Sequence, residues 1–203
     1  DLSTQLGGMP GAMLICDEIY QGLQYGVAPR TALELDADNL VVINSFSKFF
    51  GMTGWRLGWV VAPEPMIEPM ERLAQNIFLA PPTPSQYAAL AAFSARNLAI
   101  LEQRRSAFEE RRDYLYEAVS GLGFGLGEKP EGAFYLYADA ARFTDDSMGF
   151  CRELLEVAGV AITPGLDFGG YLADRHVRFA YTSGLERLVA GVARLEGFLR
   201  AGG

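Results

Sequence analysis

The sequence predicts an α/β region followed by a smaller α+β region, with the break near residue 97. Three observations carry that prediction. Two short, continuous apolar runs, Met-Leu-Ile-Cys at 13–16 and Leu-Val-Val-Ile at 40–43, each end in a polar pair, Asp17-Glu18 and Asn44-Ser45. Such runs are the pattern of parallel strands buried on both faces. Stretches between residues 65 and 119 keep helical spacing, and beyond Gly121 the texture changes to short strands separated by turns.

Each element follows in order. Residues 13–16 and 40–43 are the first two strands, and 58–62, stopped by Pro63, is the third. Residues 65–78 and 85–95 are helices, the second entered through Pro82-Thr83-Pro84. Residues 98–119 form a long helix whose Glu109-Glu110-Arg111-Arg112 cluster is expected to be a solvated face. Residues 121–132 are rich in turns, 133–138 is a strand, 147–158 a helix, and 160–163 a short strand. A Gly-rich loop at 164–171 leads to a strand at 177–181. The closing helix, 184–199, places Leu185, Leu188, Val192, Leu195 and Phe198 on one face. The expected domains are 1–96 and 97–203. At the start of the chain, Asp1-Leu2-Ser3 runs into a helix end before Gly7-Gly8, with no initiator Met, which reads as the downstream part of a longer protein.

Composition narrows the function classes. Half of the 203 residues are hydrophobic and 21% are charged, so a core can be buried. A net charge of −8 argues against nonspecific binding to nucleic acid or an anionic membrane. No run of 18 uncharged apolar residues is present, which excludes a membrane-spanning helix. No basic segment leads into an apolar one at the start, so a cytoplasmic location is expected. Cys16 and Cys151, far apart in apolar stretches, read as buried thiols. His176 is the one histidine, too few for a histidine-based metal site or a Ser-His triad.

The basic residues are unevenly chosen. Fifteen are arginine and two are lysine, Lys48 and Lys129. Lys129 sits in an exposed turn, Gly-Glu-Lys-Pro, whereas Lys48 sits among aromatics in Phe-Ser-Lys-Phe-Phe. A lysine kept there in an arginine-rich chain suggests that an amine is needed. In parallel sheets, ligands bind beyond the carboxyl ends of the strands. Asp17 ends the first run, and Ser45 ends the second with Lys48 just beyond. A salt bridge at the sheet edge is the alternative reading of Asp17. Tyr20, three residues after Asp17, can reach the same pocket, or be a core tyrosine. Gly51-Met-Thr-Gly54-Trp-Arg56 offers close backbone approach and a planar guanidinium, and with Ser45 and Ser47 makes a phosphate cradle that is not a P-loop. Alternation along 176–182 sets Val177, Phe179 and Tyr181 on one face and His176, Arg178, Ala180 and Thr182 on the other. Arg178 is therefore a candidate carboxylate binder, or a surface arginine.

Together, Asp17-Glu-Ile-Tyr20 and Ser45-Phe-Ser-Lys48-Phe-Phe-Gly-Met-Thr-Gly-Trp-Arg56-Leu-Gly-Trp59 resemble the class I/II aminotransferases, the aspartate aminotransferase group of fold-type I enzymes that use pyridoxal 5′-phosphate (PLP). Supporting segments are Pro84-Ser-Gln86, Pro130-Glu-Gly-Ala-Phe-Tyr135, Val160-Ala-Ile-Thr-Pro-Gly165 with Phe168-Gly169, and Val177-Arg-Phe-Ala-Tyr181.

The resemblance implies part of a large PLP-binding domain, a mostly parallel sheet with helices on both faces, then a small α+β C-terminal domain. It implies Lys48 as the residue that forms the imine with PLP and moves the proton between the substrate Cα and the cofactor. Asp17 would pair with the pyridine nitrogen, Tyr20 with the ring's phenolic oxygen, and Ser45, Ser47 and Arg56 with the phosphate. Arg178 would take the substrate α-carboxylate. The substrates would be an amino acid and a 2-oxo acid, and the assembly a homodimer. The family's upstream half, with its ring-stacking aromatic and part of its phosphate loop, has no counterpart here, so the 203-residue chain alone is expected to be inactive. Two other readings of the same motifs are a PLP-dependent carbon–sulfur lyase and the aminotransferase-like sensor domain of a transcription regulator.

Overall fold

The computed structural model describes residues 11–35 and 37–202; the helix end expected before Gly7 lies outside them. The chain divides into two compact units, one ending at Arg105 and the other beginning at Ser106.

In the first unit, β1 (Leu14–Asp17), β2 (Leu40–Ser45) and β3 (Gly58–Val61) form a sheet in the order β1-β2-β3. β1 and β2 run parallel, with Asp17 opposite Ile43. β3 is antiparallel to β2, with Ser45 opposite Gly58. The sheet is thus less uniformly parallel than the apolar runs suggest. The difference lies in the connection: residues 46–57, with a short 3-10 turn at Thr53–Trp55, fold back so that β3 returns along β2, whereas the longer segment 18–39 crosses over from β1 to β2. Burial on both faces holds for β2, where Leu40, Val41 and Val42 are buried, but not for β1, where Ile15 is 64% exposed. β1 has a hydrogen-bonded neighbour on one side only among the described residues. Cys16, on that edge strand, is half-buried, not a core thiol.

Two helices follow, α1 (Glu64–Ile77) and α2 (Thr83–Ala92), each entered through proline, whose missing N–H costs nothing in a first turn. Phe46, Met52, Ala89 and Ala92 form the small core of this unit. Around Phe46 stand Phe50, Trp59 and Phe93, with ring centroids 4.8, 5.2 and 5.7 Å away, in the tilted and edge-on arrangements aromatics prefer. Ile77, Phe78, Leu79, Tyr87 and Leu90 are all exposed.

The long helix α3 (Ala95–Leu122) carries the chain from one unit into the next. Its charged cluster is not wholly solvated. Arg112 is buried, its guanidinium donating to Asp113 Oδ1 at 3.0 Å and to the Pro130 carbonyl at 2.9 Å, with Glu109 3.6 Å away. A buried guanidinium is costly unless it is paired and hydrogen-bonded, and the turn at Pro130 supplies an acceptor that the helix cannot.

The second unit has an antiparallel sheet in the order β4-β6-β5: β4 (Tyr135–Asp139), β5 (Thr163–Pro164) and β6 (His176–Ala180). The strand expected at 160–163 is reduced to Thr163–Pro164. Val160 is drawn instead into the end of α4 (Ser147–Ala158), whose C-terminus closes through left-handed Gly159. α4 begins at Asp146, whose carboxylate accepts from the Gly149 N–H at 2.9 Å. α5 (Leu185–Ala201) presents buried Leu188 and Leu195 to the core. Val177, Phe179 and Tyr181 are buried on one face of β6 with Leu136, Phe150 and Leu154, as alternation requires. Cys151 lies in this core, and burial, helped by the Asp167 carboxylate, pushes its thiol up to about 11. It is therefore a protonated, inert side chain at neutral pH.

Candidate active site

The parallel pairing of β1 with β2 brings Asp17 and Ser45 to the same end of the sheet. The two acidic residues after β1 take different partners. Glu18 is turned into the fold: its Oε1 accepts from the Thr31 hydroxyl at 3.0 Å and from the Ala32 N–H at 2.6 Å, fixing the turn at Ala32–Glu34. Asp17 stays exposed, with Oδ1 accepting from the Ile19 N–H at 3.1 Å. Half-buried Tyr20 follows in the same turn, and the Lys48 ammonium lies 5.8 Å from the centre of its ring.

Near the end of β2, buried Asn44 ties the strand end together. Its Nδ2 donates to Gln21 Oε1 at 3.2 Å and its Oδ1 accepts from the Ser45 N–H at 2.7 Å. Ser45 Oγ accepts from the Ser47 N–H at 3.1 Å, and the Thr53 hydroxyl donates to the Ser47 carbonyl at 2.6 Å. This compact turn sets Lys48 at the mouth of the sheet. Gly51, at φ +67°, turns the chain back, and Arg56 takes the left-handed conformation at φ +51°, with Nη1 donating to the Thr53 carbonyl at 2.9 Å. That conformation is uncommon for a residue with a Cβ. Gly58 has no room for a side chain: a Cβ would sit 2.8 Å from the Asn44 carbonyl.

One end of β1 and β2 therefore gathers an amine, a carboxylate, a phenol, two hydroxyls and a guanidinium: Lys48, Asp17, Tyr20, Ser45, Ser47 and Arg56. An amine, hydroxyls and a guanidinium beside a carboxylate suit a polar, anionic ligand. Asn44, Gln21 and Thr53 hold the turn without having been singled out from the sequence. Only the pairing of the strands shows what they touch.

Arg178 belongs to the second unit and lies on the side of β6 opposite the core. Thr163 is its cross-strand partner, and Arg178 Nη2 donates to Thr163 Oγ1 at 3.3 Å. Its guanidinium carbon lies 4.6 Å from the centre of the Phe168 ring and 5.5 Å from that of Tyr135. Its Nε is buried with no acceptor among the described residues, an arrangement that ordinarily costs about 1–3 kcal/mol. On the same face, His176 stacks on Tyr137 at 5.0 Å, and its Nδ1–H donates to the Leu172 carbonyl at 2.7 Å. Among the described residues, no helix is long and apolar enough to cross a membrane, and no cluster of three or more metal-ligating side chains occurs.

Comparison with known proteins points the same way. A valine–pyruvate aminotransferase of Mycobacterium tuberculosis is 40% identical over 169 residues, covering 83% of this chain and 44% of that protein. An aspartate aminotransferase of Geobacillus stearothermophilus is 37% identical over 203 residues, covering 94% of this chain and 50% of that protein. The structure also superposes on an aminotransferase from Mycobacterium tuberculosis, with a TM-score of 0.92 at 34% identity, over 98% of this chain and 52% of that one. An aromatic aminotransferase from Pyrococcus horikoshii gives a TM-score of 0.89 at 30% identity, over 98% and 54%. The chain thus spans about half the length of the relatives it matches. Residues 9–192 match the family described as aminotransferase class I and II. The lysine turn beyond β2, the arginine on β6 and the match across nearly the whole chain have one common origin: the protein is a member of the class I/II aminotransferases.

Proposed function

We propose that the full-length protein is a PLP-dependent aminotransferase that exchanges the amino group of an amino acid with the oxygen of a 2-oxo acid. The observation that carries this reading is Lys48, set by the Ser45–Ser47 turn beyond β2, with Asp17 at the end of the neighbouring parallel strand. When bound, PLP supplies the electron sink for a carbanion at the substrate Cα. The chain's own residues supply the rest. Asp17 offers a carboxylate to a protonated ring nitrogen, and Tyr20 a phenol to the ring oxygen. Ser45, Ser47 and Arg56 hold the phosphate, the guanidinium as a planar fork. Lys48 provides the amine that anchors the cofactor and then carries the proton to and from Cα. Arg178 binds the α-carboxylate and so orients the Cα–H bond.

The test begins with a panel of the twenty L-amino acids and 2-oxoglutarate, using the full-length protein loaded with PLP. Borohydride reduction and peptide mapping should place the pyridoxyl group on Lys48. A label on Lys129, or elimination without amino transfer, sinks the reading.

We also propose a cytoplasmic homodimer. The exposed Ile77, Phe78, Leu79, Tyr87 and Leu90 support it, because a surface of that character is commonly covered by further protein. Analytical ultracentrifugation of the full-length protein should give twice the protomer mass; a monomer at micromolar concentration counts against the assembly.

A further inference from the structure

We propose that Phe168 is a positioning residue for Arg178, holding the plane of its guanidinium so that the fork meets a carboxylate edge-on. The inference rests on the reading of Arg178 as the carboxylate binder and adds what fixes that side chain.

Hydrogen bonds alone do not fix it. The bond from Nη2 to Thr163 Oγ1 is long, at 3.3 Å, and Nε has no acceptor among the described residues. An arginine head with so few bonds can swing about its last torsions. What lies against it is aromatic: Phe168 at 4.6 Å, the nearer ring, and Tyr135 at 5.5 Å. A ring over a guanidinium attracts it electrostatically and leaves the in-plane N–H groups for an oxyanion.

Phe168 is itself anchored. Its N–H donates to the Gly165 carbonyl at 2.9 Å, closing the 3-10 turn Gly165–Asp167. Its ring meets Tyr137 edge-on, with centroids 6.0 Å apart and an interplanar angle of 90°. Tyr137 in turn lies directly across from Arg178 in the β4–β6 register. Tyr137, Phe168 and Arg178 thus form a closed chain of contacts on one sheet face. Yet Phe168 is 49% exposed, so core packing does not account for it. A half-exposed phenylalanine set on a buried-edge arginine is explained by what it does to that arginine.

The experiment uses the PLP-loaded full-length protein and the best donor from the amino-acid panel. Phe168→Ala should raise KM, and the inhibition constant of propionate as a competing carboxylate, by about tenfold. It should leave kcat within about twofold and the melting temperature unchanged. Phe168→Tyr, which keeps the ring, should restore both constants, whereas Phe168→Leu, which keeps bulk alone, should not. Arg178→Lys is the parallel arm. If it abolishes carboxylate binding while Phe168→Ala or Phe168→Leu binds like the wild type, the positioning role is overturned and the reading of Arg178 stands. If Arg178→Lys leaves KM and propionate inhibition unchanged, or the wild type transfers no amino group, both fall.

Discussion

Lys48→Ala in the full-length protein is expected to lower amino transfer by at least about a thousandfold, the scale on which a positioned general acid–base group acts. Lys48→Arg is expected to do no better, although it keeps the charge. A guanidinium does not give up its proton in a protein, so it can neither bond covalently to an electrophilic carbon nor accept a proton from Cα. The comparison is sharp in this chain, which uses arginine at fifteen of its seventeen basic positions. The measurement is single-turnover transfer from the best donor, with circular dichroism to show that the fold is kept. The turn that holds Lys48 is built from Asn44, Ser45, Ser47 and Thr53, none of which needs the lysine side chain to close. Activity of Lys48→Arg within tenfold of the wild type would defeat the assignment.

Gly165→Ala is expected to cost about 3 kcal/mol of stability in the second unit, at the upper end of what overpacking does. A Cβ at this position would press on the Ala173 carbonyl, and would lie 2.8 Å from the His176 carbonyl and 2.9 Å from the Tyr137 hydroxyl. Two of the three obstacles are backbone and cannot rotate away. The strain would pass to β5, immediately before Gly165, and to Phe168, which hangs from its carbonyl. Carboxylate binding should therefore weaken along with stability. Gly170→Ala is the control, since nothing lies within 4 Å of its added carbon. Urea denaturation of both variants decides the matter, and equal midpoints would show that the turn yields freely.

What the sequence made legible follows from how local each signal is. The ends of β1 and β2, the helices at 65–78, 85–95 and 147–158, and the alternation around Arg178 all depend on residues close in the chain, and the structure has them. The lysine turn was equally legible, because Ser45 to Arg56 is one short segment. Misreadings arose where a distant partner decides. Burial of Arg112 depends on the Pro130 carbonyl, and exposure of Ile15 on a sheet edge that no run of side chains announces. Phe168 reads from the sequence as part of a Gly-rich loop and of a supporting segment of the resemblance, with no partner, since its contact with Arg178 exists only once β5 and β6 have paired. Thr163 was hidden for the same reason.

The aromatic cluster around Phe46 has a spectroscopic consequence. Both tryptophans of the chain, Trp55 and Trp59, belong to the unit that ends at Arg105, and Trp59 stands edge-on to Phe46. Tryptophan emission is thus a private reporter of the unit that bears Lys48. The unit that holds Arg178 carries six of the nine tyrosines and no indole, so its unfolding passes unseen in that channel and appears in the tyrosine signals of near-ultraviolet circular dichroism, to which the first unit adds three. Two such curves that fail to coincide separate the melting of one unit from the other, where a single probe would report one and be mistaken for both.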